Sequence, residues 1–339
     1  MNQPPSTRTV MLGDPGHGSA VTEIAAQDAG RLHSAALGLA AEVGDPAADS
    51  CESASVLASA LPADLLRALY RFGNVGAPRE ALLVRGMLAD AGGLGPTPGT
   101  VTPPPPGSGE QAAELTLLAA MSMLGEPFTF ASLYGGRLVQ HVTAVPGCED
   151  AQTSEGSQAD LEWHVEDAFS DDRCDYFGML CLRGAPDAVT AVAAARNLRL
   201  PSQAEAVLRQ PRFVIAPDLA HDADRAASLP PLALLSGPPG DPEFRFDAVY
   251  QRPADPQDAE AEAALRTLAG AISEAAAGHV MEPGDLLVID NRRAAHARMG
   301  YLPRYDGAGR WVLRVMVCAS GREHRRRGGI RVLPSASGK

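Results

Sequence analysis

In LEWHVEDAFSDDRCDYFGMLCLR (residues 161–183), His164 and Glu166 stand two positions apart, ahead of a short run of strand character, DYFGMLCLR (175–183). Residues i and i+2 of an extended chain project from the same face, so both side chains can address one ion. Runs of the same kind recur: RLVQHVTAV (137–145), RFVIAP (212–217), FRFDAVYQ (244–251), DLLVID (285–290) and RWVLRVMVCA (310–319). Many short strands at irregular spacing, bounded by Gly, Pro, Asp and Asn, predict a double-sheet jelly roll or a barrel. Ahead of them the periodicity is helical. VTEIAAQDAGRLHSAALGLAAEV (21–43), LPADLLRALYRFG (61–73) and EQAAELTLLAAMSMLG (110–125) carry apolar residues three and four apart. One more alanine-rich helix, about 257–279, interrupts the strands and is expected to end near Gly278. The proline-rich stretch 92–109 cannot hold a regular element. The expected architecture is α+β, mainly β, as one catalytic unit over 1–339. A mostly helical part (1–125) packs on a core (126–320), and a basic tail (321–339) follows.

With 339 residues, 45% of them hydrophobic and 21% charged, the chain is of soluble globular type with ample material for a core. Of its 29 basic residues one is lysine, the terminal Lys339. That excludes an internal lysine Schiff base, a Walker-type phosphate lysine and a lysine general base, so any anion held inside is held by arginine. A net charge of −12 opposes general nucleic-acid binding and favours a small-molecule partner. Arg322, Arg325, Arg326, Arg327 and Arg331 are the local exception, expected to form a solvated tail. Five widely spaced cysteines without a CxxC indicate neither a disulfide framework nor a zinc knuckle, and they suit a reducing cytoplasm. The start, MNQPPSTRTVMLGDPGHGS, lacks a basic-then-apolar leader pattern, and no run of about 18 apolar residues occurs. Neither secretion nor a membrane span is expected.

A metal held by His164 and Glu166 needs a third ligand. Among eight histidines His296 is the best placed, since it closes VIDNRRAAH (288–296) and precedes the arginines of RWVLRV. Two imidazoles and one carboxylate on one face of a metal leave three coordination positions open. A 2-oxo acid fills two of them through its keto and carboxylate oxygens, and O2 takes the third. The far carboxylate of such an acid needs a fixed cation. Arg310 and Arg314 share one strand face with Val312, opposite Trp311 and Leu313, and arginine's planar fork suits a carboxylate. The competing reading is a non-catalytic binding module with a structural zinc. Such a site wants four ligands, commonly including cysteine, and no cysteine sits beside HVED or His296.

Three stretches, GEPFTFASLYGGRLVQHVTAVPG (125–147), EWHVEDAFSDDRCDYFGMLCLR (162–183) and GDLLVIDNRRAAHARMGYLPRYDGAGRWVLRVMV (284–317), resemble the clavaminate synthase-like Fe(II)/2-oxoglutarate oxygenases. The likeness is greatest to the free amino acid hydroxylases of peptide-antibiotic pathways that act on arginine and asparagine. It implies a double-stranded β-helix (jelly roll) core with flanking and inserted helices. It further implies Fe(II) on His164, Glu166 and His296, and the 2-oxoglutarate C5 carboxylate on Arg310. Arg314 is implied near the cosubstrate or the substrate carboxylate, and Thr190 as a hydroxyl on 2-oxoglutarate. Glu166 in place of the commoner Asp is a feature of this branch. The implied reaction is O2-dependent hydroxylation at C3 or C4 of a free L-amino acid or close derivative such as arginine, releasing succinate and CO2. Desaturation, epoxidation, cyclisation or a carrier-bound amino acid are the alternatives. For the substrate, Leu133 and Tyr134 stand where relatives carry a polar residue, often glutamine. Ser154 and Ser157 offer polar contacts, Asp247 lies where arginine hydroxylases carry acids, and Glu166 and Arg314 take the amino acid's charged groups. Loops 147–160 and 92–109 are expected to act as lids. Trp163 and Phe169 are expected to support the core, and Cys174 and Cys181 to be buried small hydrophobes.

Overall fold

The structure, a computed structural model, describes residues 20–42, 46–74, 80–89, 93–100, 108–218, 221, 229–322, 324 and 331–334. Arg325, Arg326, Arg327 and Lys339 of the tail, and 92 and 101–107 of the proline-rich stretch, lie outside them. The described helices are α1 (Ala26–Glu42), α2 (Pro46–Leu57), α3 (Ala63–Asn74), α4 (Ser108–Met121), α5 (Ser202–Leu208) and α6 (Ala259–Glu274). The strands begin with β1 (Ala20–Glu23), β2 (Ala81–Arg85), β3 (Glu126–Phe130), β4 (Gln140–Thr143), β5 (Leu161–His164), β6 (Tyr176–Arg183), β7 (Val189–Ala194) and β8 (Phe213–Ile215). They continue with β9 (Leu235–Ser236), β10 (Glu243–Phe244), β11 (Gln251–Pro253), β12 (Ala277–Val280), β13 (Leu286–Asp290), β14 (Ala294–Arg298), β15 (Trp311–Cys318) and β16 (Val332–Leu333).

Two sheets face each other. The larger runs β1-β2-β13-β6-β15-β3-β16, with β4 paired to the first half of β15, and the smaller runs β12-β7-β14-β5. Between them lies an apolar layer that includes Phe128, Phe177, Ile289, Val312 and Met316 from the larger sheet and Val192 from the smaller. Outside the larger sheet, Trp311, Leu313, Val315 and Val317 pack with Leu117, Leu118 and Met121 of α4. Outside the smaller, Ala191, Ala193, Ala295 and Ala297 pack with Leu265, Leu268 and Ile272 of α6. Both faces of each sheet are therefore covered, which is why β13 and β15 read as continuous apolar runs. Helix α4 comes so close to β6 that a Cβ at Gly178 would stand 2.5 Å from Met121 Sδ. Only glycine permits that approach.

Several boundaries differ from the sequence reading. The run 21–43 begins with β1, which adds parallel to β2, and α1 starts only at Ala26. The helix expected over 257–279 stops at Glu274, because Ala277–Val280 pairs antiparallel with Val189–Val192 of β7. Sheet pairing there overrides the helical preference of alanine. The 244–251 run splits into β10 and β11 around a turn in which Asp247 accepts from the Val249 and Tyr250 N–H groups. No helix among the described residues is long and apolar enough to cross a membrane.

Candidate active site

Strands β5 and β14 pair antiparallel with His164 directly opposite His296, so both imidazoles leave one face and their centroids lie 4.2 Å apart. Trp163 and Val165 project the other way into the core. The chain then turns, and Glu166 Oε1 comes to 3.3 Å from His296 Nε2 and 4.0 Å from His164 Nε2. One ligand atom from each of the three lies within 4.8 Å of the others, and no other such His, Cys, Asp or Glu group occurs among the described residues. Without a fourth protein ligand the set has the open form of a reactive centre.

His164 Nδ1 donates to the Glu162 carbonyl at 2.7 Å, which holds the ring with Nε2 towards Glu166. Burial and the neighbouring His164 push the His296 pKa down to about 4, so its ring is neutral at pH 7. His296 Nδ1 has no hydrogen-bonding partner among the described residues, and the ring packs on Phe177 at 4.6 Å between centroids. Burial alone would raise the pKa of Glu166. Arg314 and the two histidines outweigh that and hold the carboxylate well below the usual range. Arg314 Nη1 donates to both Glu166 oxygens at 3.0 and 3.1 Å, and Nε donates to Gln140 Oε1 at 2.7 Å.

These shifts carry a pH consequence. An unfolded chain takes up a proton on His296 near pH 6.5, whereas the folded chain resists it down to about 4. Depressed Glu166 works in the same sense at lower pH. The His296 share of the metal-free protein's stability is therefore expected to fall away as pH drops from about 6.5 towards 4, while Asp290, whose pKa burial raises to about 7, works in the opposite sense. The difference in thermal unfolding midpoint between the wild type and His296→Gln, followed across that range, isolates the His296 share, and a pH-independent difference would remove it.

Two supports were not visible in the sequence. Asn291, fully buried after β13, accepts from the Glu166 N–H at 2.8 Å and donates to the Glu166 and Cys174 carbonyls at 3.0 and 3.1 Å. Asp167, at a positive φ of 52°, is bonded by His221 Nε2 at 2.9 Å, and His221 Nδ1 meets Ser132 Oγ at 2.9 Å. Both features fix the turn that aims Glu166. Asn291→Ala is expected to weaken divalent metal binding about 10- to 100-fold, measured by Mn(II) titration.

A pocket opens beside the triad. It is lined by Leu133, Ser154, Glu166, Asp247 and Arg314 of the expected substrate residues, and by Tyr134 and Phe169. Glu155, Glu162, Asp167 and Asp218 add to its acidic wall. Burial, reinforced by Asp218, raises the Asp247 pKa. Gln152–Glu155 bring loop 147–160 into the wall, whereas no described residue of 92–109 lines it. That stretch instead takes hydrogen bonds from Arg183 to Gly95 O and Thr97 Oγ1, on another side of the sheet. Ser157 does not line it either, and its carbonyl accepts from Arg298. Cys174 and Cys181 are buried free thiols in the apolar layer.

Arg310 and Thr190 lie off the pocket, further along the space between the sheets. Thr190 stands opposite Arg298 across the β7–β14 pair, two residues from Val192, which stands opposite His296. The Arg298 pKa falls to about 10 through burial and the neighbouring Arg310. Arg310 is 8% exposed, lies over the Tyr301 ring at 5.7 Å, and makes no hydrogen bond or ion pair among the described residues. Burying a guanidinium without an acid is costly.

Comparison with known proteins agrees with this geometry. The model of the family described as taurine catabolism dioxygenase TauD, TfdA family, matches residues 205–316. Enduracididine beta-hydroxylase of Streptomyces hygroscopicus is 31% identical over 292 residues, covering 79% of this chain and 85% of that protein. L-asparagine oxygenase of Streptomyces coelicolor is 36% identical over 273 residues, covering 78% and 79%. The crystal structure of the non-haem iron oxygenase OrfP in complex with Fe, succinate and (3S)-hydroxy-L-Arg superposes with a TM-score of 0.84 at 30% identity, covering 93% of this chain and all of that one. A His–Glu–His cluster, a buried arginine without an acid among the described residues, and likeness over most of the chain lead to one conclusion: the chain belongs to the TauD/TfdA family, among its Fe(II)/2-oxoglutarate-dependent amino acid oxygenases.

Proposed function

We propose that this protein hydroxylates C3 or C4 of a free L-amino acid with a cationic side chain, such as arginine, in secondary-metabolite biosynthesis. The facing sheets are read as a double-stranded β-helix core. The observation that carries the reading is the His164–Glu166–His296 set with Arg314 on one side and the acid-free Arg310 on the other. In this reading the triad holds Fe(II), and Arg310, with Arg298 and Thr190 nearby, holds the far carboxylate of 2-oxoglutarate. When bound, iron, 2-oxoglutarate and O2 supply the oxidation: one oxygen atom enters the substrate C–H bond, and the other leaves in succinate as CO2 is released.

The chain's own residues choose and orient the substrate. Arg314 is the pocket's one arginine among the lining residues and is already shared with Glu166, so it fits the amino acid carboxylate. Asp218 and Asp247 set a negative field for an amine or guanidinium at the other end. Loop residues 152–155 wall the site against water.

The test is anaerobic reconstitution with Fe(II) and 2-oxoglutarate, followed by a screen of free amino acids for O2-dependent succinate release. A metal-to-ligand charge-transfer band and turnover with arginine, lysine or ornithine are expected. Absence of the band, or its persistence in His296→Ala, overturns the reading. Arg310→Gln is expected to raise the 2-oxoglutarate KM about 10- to 100-fold with the iron retained, as loss of a charged hydrogen-bonded pair implies. An unchanged KM would move the carboxylate anchor to Arg314.

A further inference from the structure

Tyr134 is an anomaly in the pocket wall. It is a non-glycine residue at φ 47°, at the head of three successive left-handed positions that continue through Gly135 and Gly136. Such a backbone costs on the order of 1 kcal/mol or more at a bulky residue, and it persists only where the surroundings hold it. Its hydroxyl is buried beside Ser154, and among the described residues it makes no hydrogen bond of normal length and angle. A buried polar group left unpaired is a further cost. Two penalties at one side chain mark a position held for a ligand.

The neighbours say which ligand group. The Tyr134 ring stacks on the Arg314 guanidinium, with the Arg314 carbon 5.9 Å from the ring centroid. Arg314 spends Nη1 on Glu166 and Nε on Gln140, and Nη2 has no protein partner among the described residues. The phenol O–H and the guanidinium Nη2, neither with a hydrogen-bond partner among the described residues, thus belong to two side chains in contact in one pocket wall. Burial also raises the phenol pKa, so it stays a donor at neutral pH. Two donors, one of them cationic, match the two oxygens of a carboxylate. An α-ammonium has acceptors enough in Glu155 and Glu166 and gains least from a phenol.

We propose that Tyr134 is a substrate-binding residue whose hydroxyl, with Arg314 Nη2, holds the α-carboxylate of the amino acid substrate. The proposal rests on the amino acid oxygenase reading above. It deepens that reading by making a free carboxylate, rather than an ester, amide or carrier-bound thioester, a condition of productive binding.

The test uses the Fe(II)- and 2-oxoglutarate-loaded protein without O2, titrated calorimetrically with L-arginine, L-lysine and L-ornithine and with the α-carboxamide of the tightest binder. Tyr134→Phe removes only the hydroxyl. It is expected to weaken the amino acid about 10- to 100-fold while leaving the carboxamide, already weak, within about twofold. The charge-transfer band is expected to stay at wild-type intensity, as it reports iron and cosubstrate but not the substrate carboxylate. Equal weakening of acid and amide would make the ring structural and overturn the proposal. No change in either would overturn it as well, as would loss of the band in Tyr134→Phe. A wild-type protein that shows the band yet binds none of the amino acids overturns this inference and leaves the iron and 2-oxoglutarate assignment standing. A wild-type protein without the band overturns the wider reading.

Discussion

Glu166→Ala and His296→Ala are each expected to abolish amino-acid-dependent succinate formation, beyond the roughly 10- to 100-fold loss typical of a residue that only supports a ligand. Both should also lose the iron–2-oxoglutarate band. Their effects on the metal-free fold should differ, which separates loss of a ligand from loss of structure. Removing Glu166 strands Arg314 Nη1, a buried cation whose two carboxylate contacts at 3.0 and 3.1 Å disappear, so several kcal/mol of stability should go with it. Removing His296 takes out a neutral ring packed on Phe177, which leaves a cavity but no orphaned charge. Thermal unfolding of the metal-free variants should therefore rank Glu166→Ala below His296→Ala while both are equally inactive. Retained iron binding in either would remove that residue from the ligand set.

The residues legible from sequence were those whose role follows from strand alternation. His164 and Glu166 flank the inward-turned Val165, and Arg314 shares a face with Val312, so a period of two was enough to group them. His296 is legible because it follows the DLLVID strand and precedes the arginines of RWVLRV, and its pairing opposite His164 puts the two imidazoles on one face of the sheet. Asn291, Asp167, His221, Gln140 and Arg298 escaped notice because each works through a partner far along the chain. The Asn291–Glu166 bond, for example, spans 125 positions. Tyr134 was noticed only as a departure from relatives, since neither its stacking on Arg314 nor its positive φ leaves a trace in periodicity. Length does not decide which elements are legible: RFVIAP and RLVQHVTAV contain the short β8 and β4, whereas the twelve-residue α2 goes unread. β2 reads ALLVR and β7 reads VTAVAA, both compatible with a helix until the neighbouring strands of their sheets are known.

Arg314→Met is expected to destabilise the metal-free protein by about 3–5 kcal/mol, and divalent metal should restore part of that loss. Arg314 Nη1 reaches both Glu166 oxygens and Nε bonds Gln140, all of it buried. Methionine matches the aliphatic stem but leaves the carboxylate without its guanidinium, the case in which a broken buried pair costs most. Glu166 must then take up a proton or lose its burial. A cation coordinated at the triad replaces the missing guanidinium as the counter-charge, so Mn(II) should raise the melting temperature of Arg314→Met more than that of the wild type. Arg310→Gln is the control, because Arg310 has no carboxylate among the described residues to be orphaned, and the metal-free protein should keep its stability or gain a little. Equal losses in the two variants, or no differential rescue by Mn(II), would mean that the Glu166–Arg314 pair is not the electrostatic partner of the metal site. Opposite responses from two arginines near the ends of one strand face would show them dividing the work: Arg314 balances the metal's own carboxylate and Arg310 waits for a carboxylate from outside.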